Sequence, residues 1–312
     1  MICSKAPGKI ILFGEHFVVR GFPGIGMAVS SYARACVDSS DRDLVESKQL
    51  GLLYDEEKRL GLESSFGAIL REIRSLGCRD KIRVLIDSSL FVSSGMGSSA
   101  AVSVAVAHAL LRFCGLDSSK ENVSRIAFEA EKVIHKRPSG IDNTLATYGG
   151  VVYYRSGSFR KISVKWPEDY VILIVNTGIS RETGAVVKDV LDLYERRREI
   201  LEHVYRSAES LVEEALKLLE RGEFESLGEL MNINQGLLYA INTSCPLCEE
   251  IIWLLRRNRA LGAKLSGAGR GGIAISLYRK RDLDEVLEKL RERGLETLIV
   301  GLDERGVRDL LE

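Results

Sequence analysis

The chain has no net charge to spare. Its 312 residues carry 44 Lys plus Arg against 44 Asp plus Glu. That balance gives no support to nucleic acid or a membrane surface as main partner. Basic runs such as Arg196-Arg197-Arg198 sit among glutamates, as on a solvated helix face. A long apolar run is missing too. The longest mostly apolar stretch, Ala100 to Phe113, is broken by Ser103, His108 and Arg112 and is too short to span a bilayer. No secretory leader is legible, because Lys and Pro interrupt the opening MICSKAPGK. A cytoplasmic protein is expected, without nucleic-acid or membrane partners. Internal repeats and low-complexity tracts are absent as well.

Metal-ligand patterns are scarce. Of six cysteines, Cys3, Cys36, Cys78 and Cys114 are scattered, which suits reduced intracellular thiols. Cys245-Pro246-Leu247-Cys248 has the C-x-x-C form but no second pair or nearby His, so zinc is not expected. Pro246 reads as the first residue of a helix capped by Thr243 or Ser244. Pairing of Cys245 with Cys248 stays open.

What is present is a mixed α and β chain, 45% hydrophobic and 28% charged, long enough for a sizeable core. Strand patterns fall at Ile10 to Phe13, Phe17 to Val19, Ala33 to Ser39, Ile82 to Ser88, Val151 to Tyr154, Tyr170 to Val175, Ile273 to Leu277 and Glu296 to Val300. Helices are expected at Ser64 to Leu76, after Ser118-x-x-Glu121 as a capping box, and over one long stripe from Tyr194 to Leu219 that Gly222 ends. More follow at Glu223 to Tyr239, Pro246 to Arg259 and Asp282 to Arg293. Pro138 stops the helix begun at the capping box. A break near Trp166 to Asp169 divides residues 1–168 from 169–312.

The most informative segment is Gly95-Met96-Gly97-Ser98-Ser99-Ala100-Ala101, which runs into the apolar helix Val102 to Leu111. Small residues let backbone N–H groups close around an anion, and the helix aims its positive end at the same point. Serine hydroxyls there can cap the helix, touch phosphate or bind a metal. No Lys follows the last glycine, so this is not a Walker A loop. A flexible serine-capped turn is the plain alternative.

Phosphoryl transfer needs a phosphate cradle, a metal ligand, a positive charge and a group that orients the acceptor. The chain offers Gly95 to Ala101 as cradle. Ser99 and Glu131 are hard oxygen donors suited to Mg²⁺. Lys9 follows the tight Pro7-Gly8, and Asp142 lies in Pro138-Ser139-Gly140-Ile141-Asp142-Asn143. Glu131 falls at the margin of its helix's apolar face. Singly, Lys9 reads better as a surface lysine, His16 as a core histidine and Glu131 as an ordinary rim glutamate, and Asp142-Asn143 can simply start a turn.

Three blocks together resemble the GHMP small-molecule kinases, which include galactokinases, homoserine kinases, mevalonate kinases and phosphomevalonate kinases. They are Lys5-Ala6-Pro7-Gly8-Lys9 with Gly14-Glu15-His16, then Gly95 to Ala101, then Lys264-Leu265-Ser266-Gly267-Ala268-Gly269-Arg270-Gly271-Gly272. They span nearly the whole chain. Gly14 to Gly24 and His135 to Asn143 are most similar to the mevalonate kinases, and Glu131 precedes Asp142 by eleven positions as in that family. The resemblance implies an α+β, two-lobed fold, with a ribosomal-protein-S5-domain-2-like N-terminal lobe and a ferredoxin-like C-terminal lobe. It implies ATP and Mg²⁺ as cofactors and phosphorylation of the mevalonate 5-hydroxyl. Asp142 and Lys9 would be catalytic. Gly95, Met96, Gly97, Ser98, Ser99, Ala100, Gly267 and Gly269 would hold the nucleotide, and Ser99 and Glu131 the metal. Glu15, His16 and Thr183, within Arg181-Glu182-Thr183, would contact mevalonate. A homodimer is compatible with it. Val92, Ser93 and Ser94 depart from the family's pattern before the loop, as do Lys136 and Arg270, whose role stays open.

Overall fold

The computed structural model describes the chain apart from residues 62, 92–93, 135–139, 181 and 312. The readings placed on Val92, Ser93, His135, Lys136, Pro138, Ser139 and Arg181 therefore lie outside the described residues.

The first sheet is built on two long strands. β1 (Ile2–Phe13) and β2 (Gly24–Ser39) pair antiparallel along their length, with a register shift between Pro7 and Gly8. β2 is long enough to take two partners on its other edge. Its second half pairs with β5 (Ile82–Ser88) and its first turn-proximal residues with β6 (Val151–Arg155). β3 (Leu44–Ser47) and β4 (Gly51–Asp55) extend the sheet beyond β5, and β7 (Ser158–Ile162) pairs with β6. The second sheet has four antiparallel strands in the order β11-β8-β10-β9. They are β8 (Tyr170–Asn176), β9 (Gly262–Ser266), β10 (Ile273–Arg279) and β11 (Thr297–Val300). β12 (Arg308–Asp309) returns to pair with β1 in the first sheet.

Helices α1 (Ser65–Ser75), α2 (Ser98–Phe113), α3 (Lys120–Ile134) and α4 (Ile141–Tyr148) pack with the first sheet. α2 is apolar on every side because it is enclosed: from Ala100 to Leu111 only Val102 is not buried. α5 (Thr183–Arg196), α6 (Arg198–Arg221), α7 (Phe224–Ala240), α8 (Pro246–Arg257) and α9 (Asp284–Glu292) belong with the second sheet. One buried apolar cluster runs through both halves, from Ile10 and Val29 through Ile172 and Ile174 to Leu219 and Ile275. The two lobes thus share a core. No helix among the described residues is long and apolar enough to cross a membrane.

Several expectations are corrected. Phe17–Arg20 is a 3₁₀ turn, not a strand, closed by Gly21 in the left-handed region at φ 84°. The long stripe from Tyr194 is two helices, broken at Arg197, where φ −130° and ψ 35° leave the helical region. Tyr194 and Tyr205 stack edge-on with ring centroids 4.8 Å apart. Eleven residues of straight helix would separate them by about 16 Å, so the contact requires the break. Ser119 rather than Ser118 caps α3, its Oγ accepting from the Asn122 N–H at 3.4 Å. Cys245, not Thr243 or Ser244, is the N-cap of α8. The expectation of reduced thiols also fails. All six cysteines pair, as Cys3–Cys36, Cys78–Cys114 and Cys245–Cys248. Cys3 and Cys36 face each other across the β1–β2 register, and α1 packing on α2 brings Cys78 and Cys114 together after the ends of those helices.

Candidate active site

β1 carries Pro7-Gly8-Lys9 against the first glycine loop. The Lys9 N–H donates to the Met96 carbonyl at 2.9 Å. Glycine at position 8 eases this approach, since a Cβ there would lie 2.5 Å from Leu90 Cδ2 and 3.1 Å from the Met96 carbonyl oxygen. Gly97 then turns the loop into α2 at φ 68°. A Cβ at Gly97 would sit 2.9 Å from Lys9 Cγ and 3.5 Å from Asp142 Oδ2. Loop, lysine stem and carboxylate therefore meet around one residue. No side chain caps α2, so the serines at 98 and 99 do not take that role. Its first-turn N–H groups and positive end suit an anion. Met96 and Ala100 have buried side chains and offer backbone only, whereas Ser99 is exposed.

Asp142 stands in the first turn of α4, after Gly140 in the left-handed region at φ 78°. The Lys9 ammonium lies 3.1 Å from Asp142 Oδ1. Lys9 is 7% exposed, so this is not a surface lysine. Glu131, on the last turn of α3, is 5% exposed, and its Oε2 has no hydrogen-bond partner. Burial, and secondarily the Asp142 charge, push its carboxyl up to about 7, with Lys9 opposing.

The second glycine loop connects β9 to β10. A Cβ at Gly269 would lie 2.1 Å from the Thr243 carbonyl oxygen, and Gly267 has φ 84°. The loop touches the first block directly. His16 Nε2 donates to the Ala268 carbonyl at 2.8 Å, and Ser266 Oγ accepts from the Ile11 N–H at 2.9 Å. Arg270 holds φ 54°, unusual for a non-glycine residue, and its guanidinium donates to the Asn242 carbonyl and to Asp189 on α5. It acts as a strap across three segments.

The side chains expected to touch the acceptor are placed differently from one another. Glu15 has no accessible side-chain surface; its carboxylate pairs with the Lys264 ammonium and accepts from Asn234 Nδ2. It links the turn after β1 to β9 and α7. His16 is buried against the second glycine loop. Thr183 is exposed at the start of α5, less than two turns from the Asp189 strap. The partners Lys264 and Asn234 were not singled out from sequence. The available signal was a lysine inside the buried strand Ala263-Lys264-Leu265, since a buried ammonium requires a counter-charge.

Residues 64–150 match the GHMP kinases N-terminal domain and residues 215–295 the GHMP kinases C-terminal domain. The chain belongs to the GHMP kinase family. As a member it is an ATP-dependent small-molecule kinase. It is 35% identical to a mevalonate kinase of Aeropyrum pernix, over 98% of this chain and 97% of that protein. A mevalonate kinase of Pyrococcus abyssi is 34% identical over 99% and 97%. The crystal structure of L. major mevalonate kinase in complex with R-mevalonate superposes with TM-score 0.83 at 32% identity, covering 96% of this chain and 95% of that one.

Among the described residues no group of three or more His, Cys, Asp or Glu forms a metal cage. Mg²⁺ in a kinase takes one or two protein oxygens and the rest from phosphates and water. The buried Glu131 Oε2, which has no hydrogen-bond partner, is an oxygen of the kind that Mg²⁺ takes.

Proposed function

We propose that this GHMP kinase transfers the γ-phosphoryl group of ATP to the 5-hydroxyl of mevalonate, giving 5-phosphomevalonate and ADP. The observation that carries the chemistry is the convergence of Lys9 and Asp142 on Gly97 at the mouth of the phosphate loop. The acceptor assignment is supported by the mevalonate kinase relatives that align with almost the full chain.

In this reading the triphosphate lies over residues 95–101, on the backbone N–H groups at the start of α2. Asp142 accepts the hydroxyl proton. The acceptor oxygen bonds to the γ-phosphorus as the bond to the bridging oxygen breaks, and ADP leaves. Lys9 neutralises the carboxylate in the resting site and favours the developing alkoxide. Ser99 and Glu131 are the residues assigned to Mg²⁺, which when bound neutralises charge on the phosphates. The second glycine loop, with Gly267 and Gly269, walls the phosphate side. His16 and Thr183 flank the acceptor, while the Glu15 carboxylate is held by Lys264 and Asn234. A cytoplasmic location belongs to the same reading.

A coupled ADP-release assay over mevalonate, homoserine and galactose tests it, with phosphorus NMR of the product. Preference for mevalonate and a 5-phosphate product are expected. Preference for another acceptor, or phosphate at another hydroxyl, overturns the assignment.

A further inference from the structure

Glu131 and Asp142 stand on different helices, and the connection between them passes outside the described residues. Their relative placement depends on how α3 meets α4. A polar tie joins the two directly. Asn143, the neighbour of Asp142, is 3% exposed, and its Nδ2 donates to both the carbonyl oxygen and the Oγ of Ser124, at 2.9 Å each. Ser124 precedes Glu131 by seven residues on α3, two turns, and so shares its face.

The chemistry demands a hydrogen-bond donor at this position. A backbone carbonyl only accepts, so the atom opposite Ser124 must be the NH₂ group. An aspartate of the same shape would set oxygen against oxygen. Stability alone does not account for the residue, because Asn143 Oδ1 is buried without a partner. A buried unpaired acceptor is a cost that an apolar side chain would avoid.

We propose that Asn143 is a positioning residue that clamps the first turn of α4 to α3 through Ser124, and so sets the separation of the Asp142 and Glu131 carboxylates. This rests on the roles given to Asp142 and Glu131 above. The Asp142 charge acts on Glu131, and the clamp fixes where the carboxylate that carries it stands. A displacement of about 1 Å in such a group costs about a hundredfold in rate.

The test compares Asn143→Ala, Asn143→Asp, Asn143→Ser and Ser124→Ala, with Asp142→Asn as reference, well below each unfolding midpoint. The readouts are kcat, the KM for each substrate, the dissociation constant for AMPPNP, and Mn²⁺ affinity of the AMPPNP complex by EPR. Asn143→Ala and Asn143→Asp are expected to lower kcat about ten- to a hundredfold, to weaken Mn²⁺ and to leave AMPPNP affinity within about twofold. Ser124→Ala keeps the carbonyl acceptor and is expected to lose about threefold or less. A kcat within about twofold of the parent in Asn143→Ala, or unchanged Mn²⁺ affinity with a rate loss that only tracks the folded fraction, overturns the proposal. If Asn143→Ala does not fold, Asn143→Ser decides by the same split. Parent-like turnover in Asp142→Asn instead overturns the catalytic assignment beneath it.

Discussion

Glu15 and Lys264 form an ion pair with no accessible side-chain surface, joining the turn after β1 to strand β9 of the other sheet. Asn234 on α7 donates to the second Glu15 oxygen, and the Lys264 ammonium also donates to the Leu265 carbonyl. Burial holds the Lys264 pKa below the usual lysine range, against the pull of Glu15. Charge so deep is tolerated because each partner is hydrogen-bonded beyond the pair.

Removal of one partner leaves the other charge stranded. Lys264→Met is expected to destabilise the fold by about 3–5 kcal/mol, read as a lower midpoint in urea. Glu15→Gln combined with Lys264→Met should recover part of that loss, since neither charge then remains. A double variant no more stable than Lys264→Met alone would count against a buried pair.

Glu131 gives a pH signature. Its carboxyl is raised from 4.5 to about 7 in the fold, by burial first and by Asp142 second. The folded chain therefore holds a proton that the unfolded chain has released between those values. Stability of the metal-free protein must fall as pH rises across the window, by up to about 3 kcal/mol, and stay reduced above it. Thermal midpoints in EDTA from pH 4.5 to 7.5 should show the decline, and Glu131→Gln should flatten it. An identical slope in that variant would assign the effect elsewhere.

The parts of this molecule that sequence makes plain are those written locally. The left-handed glycines, the apolar helix α2 and the alternation of β5 each follow from neighbouring residues. Lys9, Asp142 and Gly97 could be nominated one by one, but only the β1–β2 pairing and the packing of α2 and α4 on β1 make them one site. Non-local facts stayed hidden. Nothing near Tyr194 announces that it stacks on Tyr205, so the break at Arg197 was invisible. Arg270 stands in a glycine run, and its meaning comes from Asp189 and Asn242, remote in the chain.

The cysteine pairs were hidden for the same reason, and they make a stability prediction. Cys3–Cys36 and Cys78–Cys114 close loops with sequence separations of 33 and 36 residues, whereas Cys245–Cys248 closes one of 3. Loop-closure entropy assigns about 4 kcal/mol to each long loop and about 2 to the short one. Cys78→Ser should therefore lower the unfolding midpoint more than Cys248→Ser does. Thiol titration of the native protein without reductant should find no reactive cysteine. Six titratable thiols, or midpoints insensitive to reductant, would contradict the pairing.

The last prediction concerns division of labour between Lys9 and Asp142. Both border Gly97, yet they act on different parts of the reaction. Asp142→Asn keeps the shape and removes the proton acceptor, so kcat should fall about 10²- to 10⁴-fold with AMPPNP affinity nearly unchanged. Lys9→Met removes a charge beside the carboxylate and the acceptor oxygen, so kcat should fall as well. It also removes the group that holds the carboxylate at 3.1 Å, so Lys9→Met combined with Asp142→Asn should lose little more than Asp142→Asn alone. Single-turnover and steady-state rates of the two single variants and the double variant apportion the loss. Fully additive losses in the double variant would mean that the 3.1 Å pair does not act as a unit.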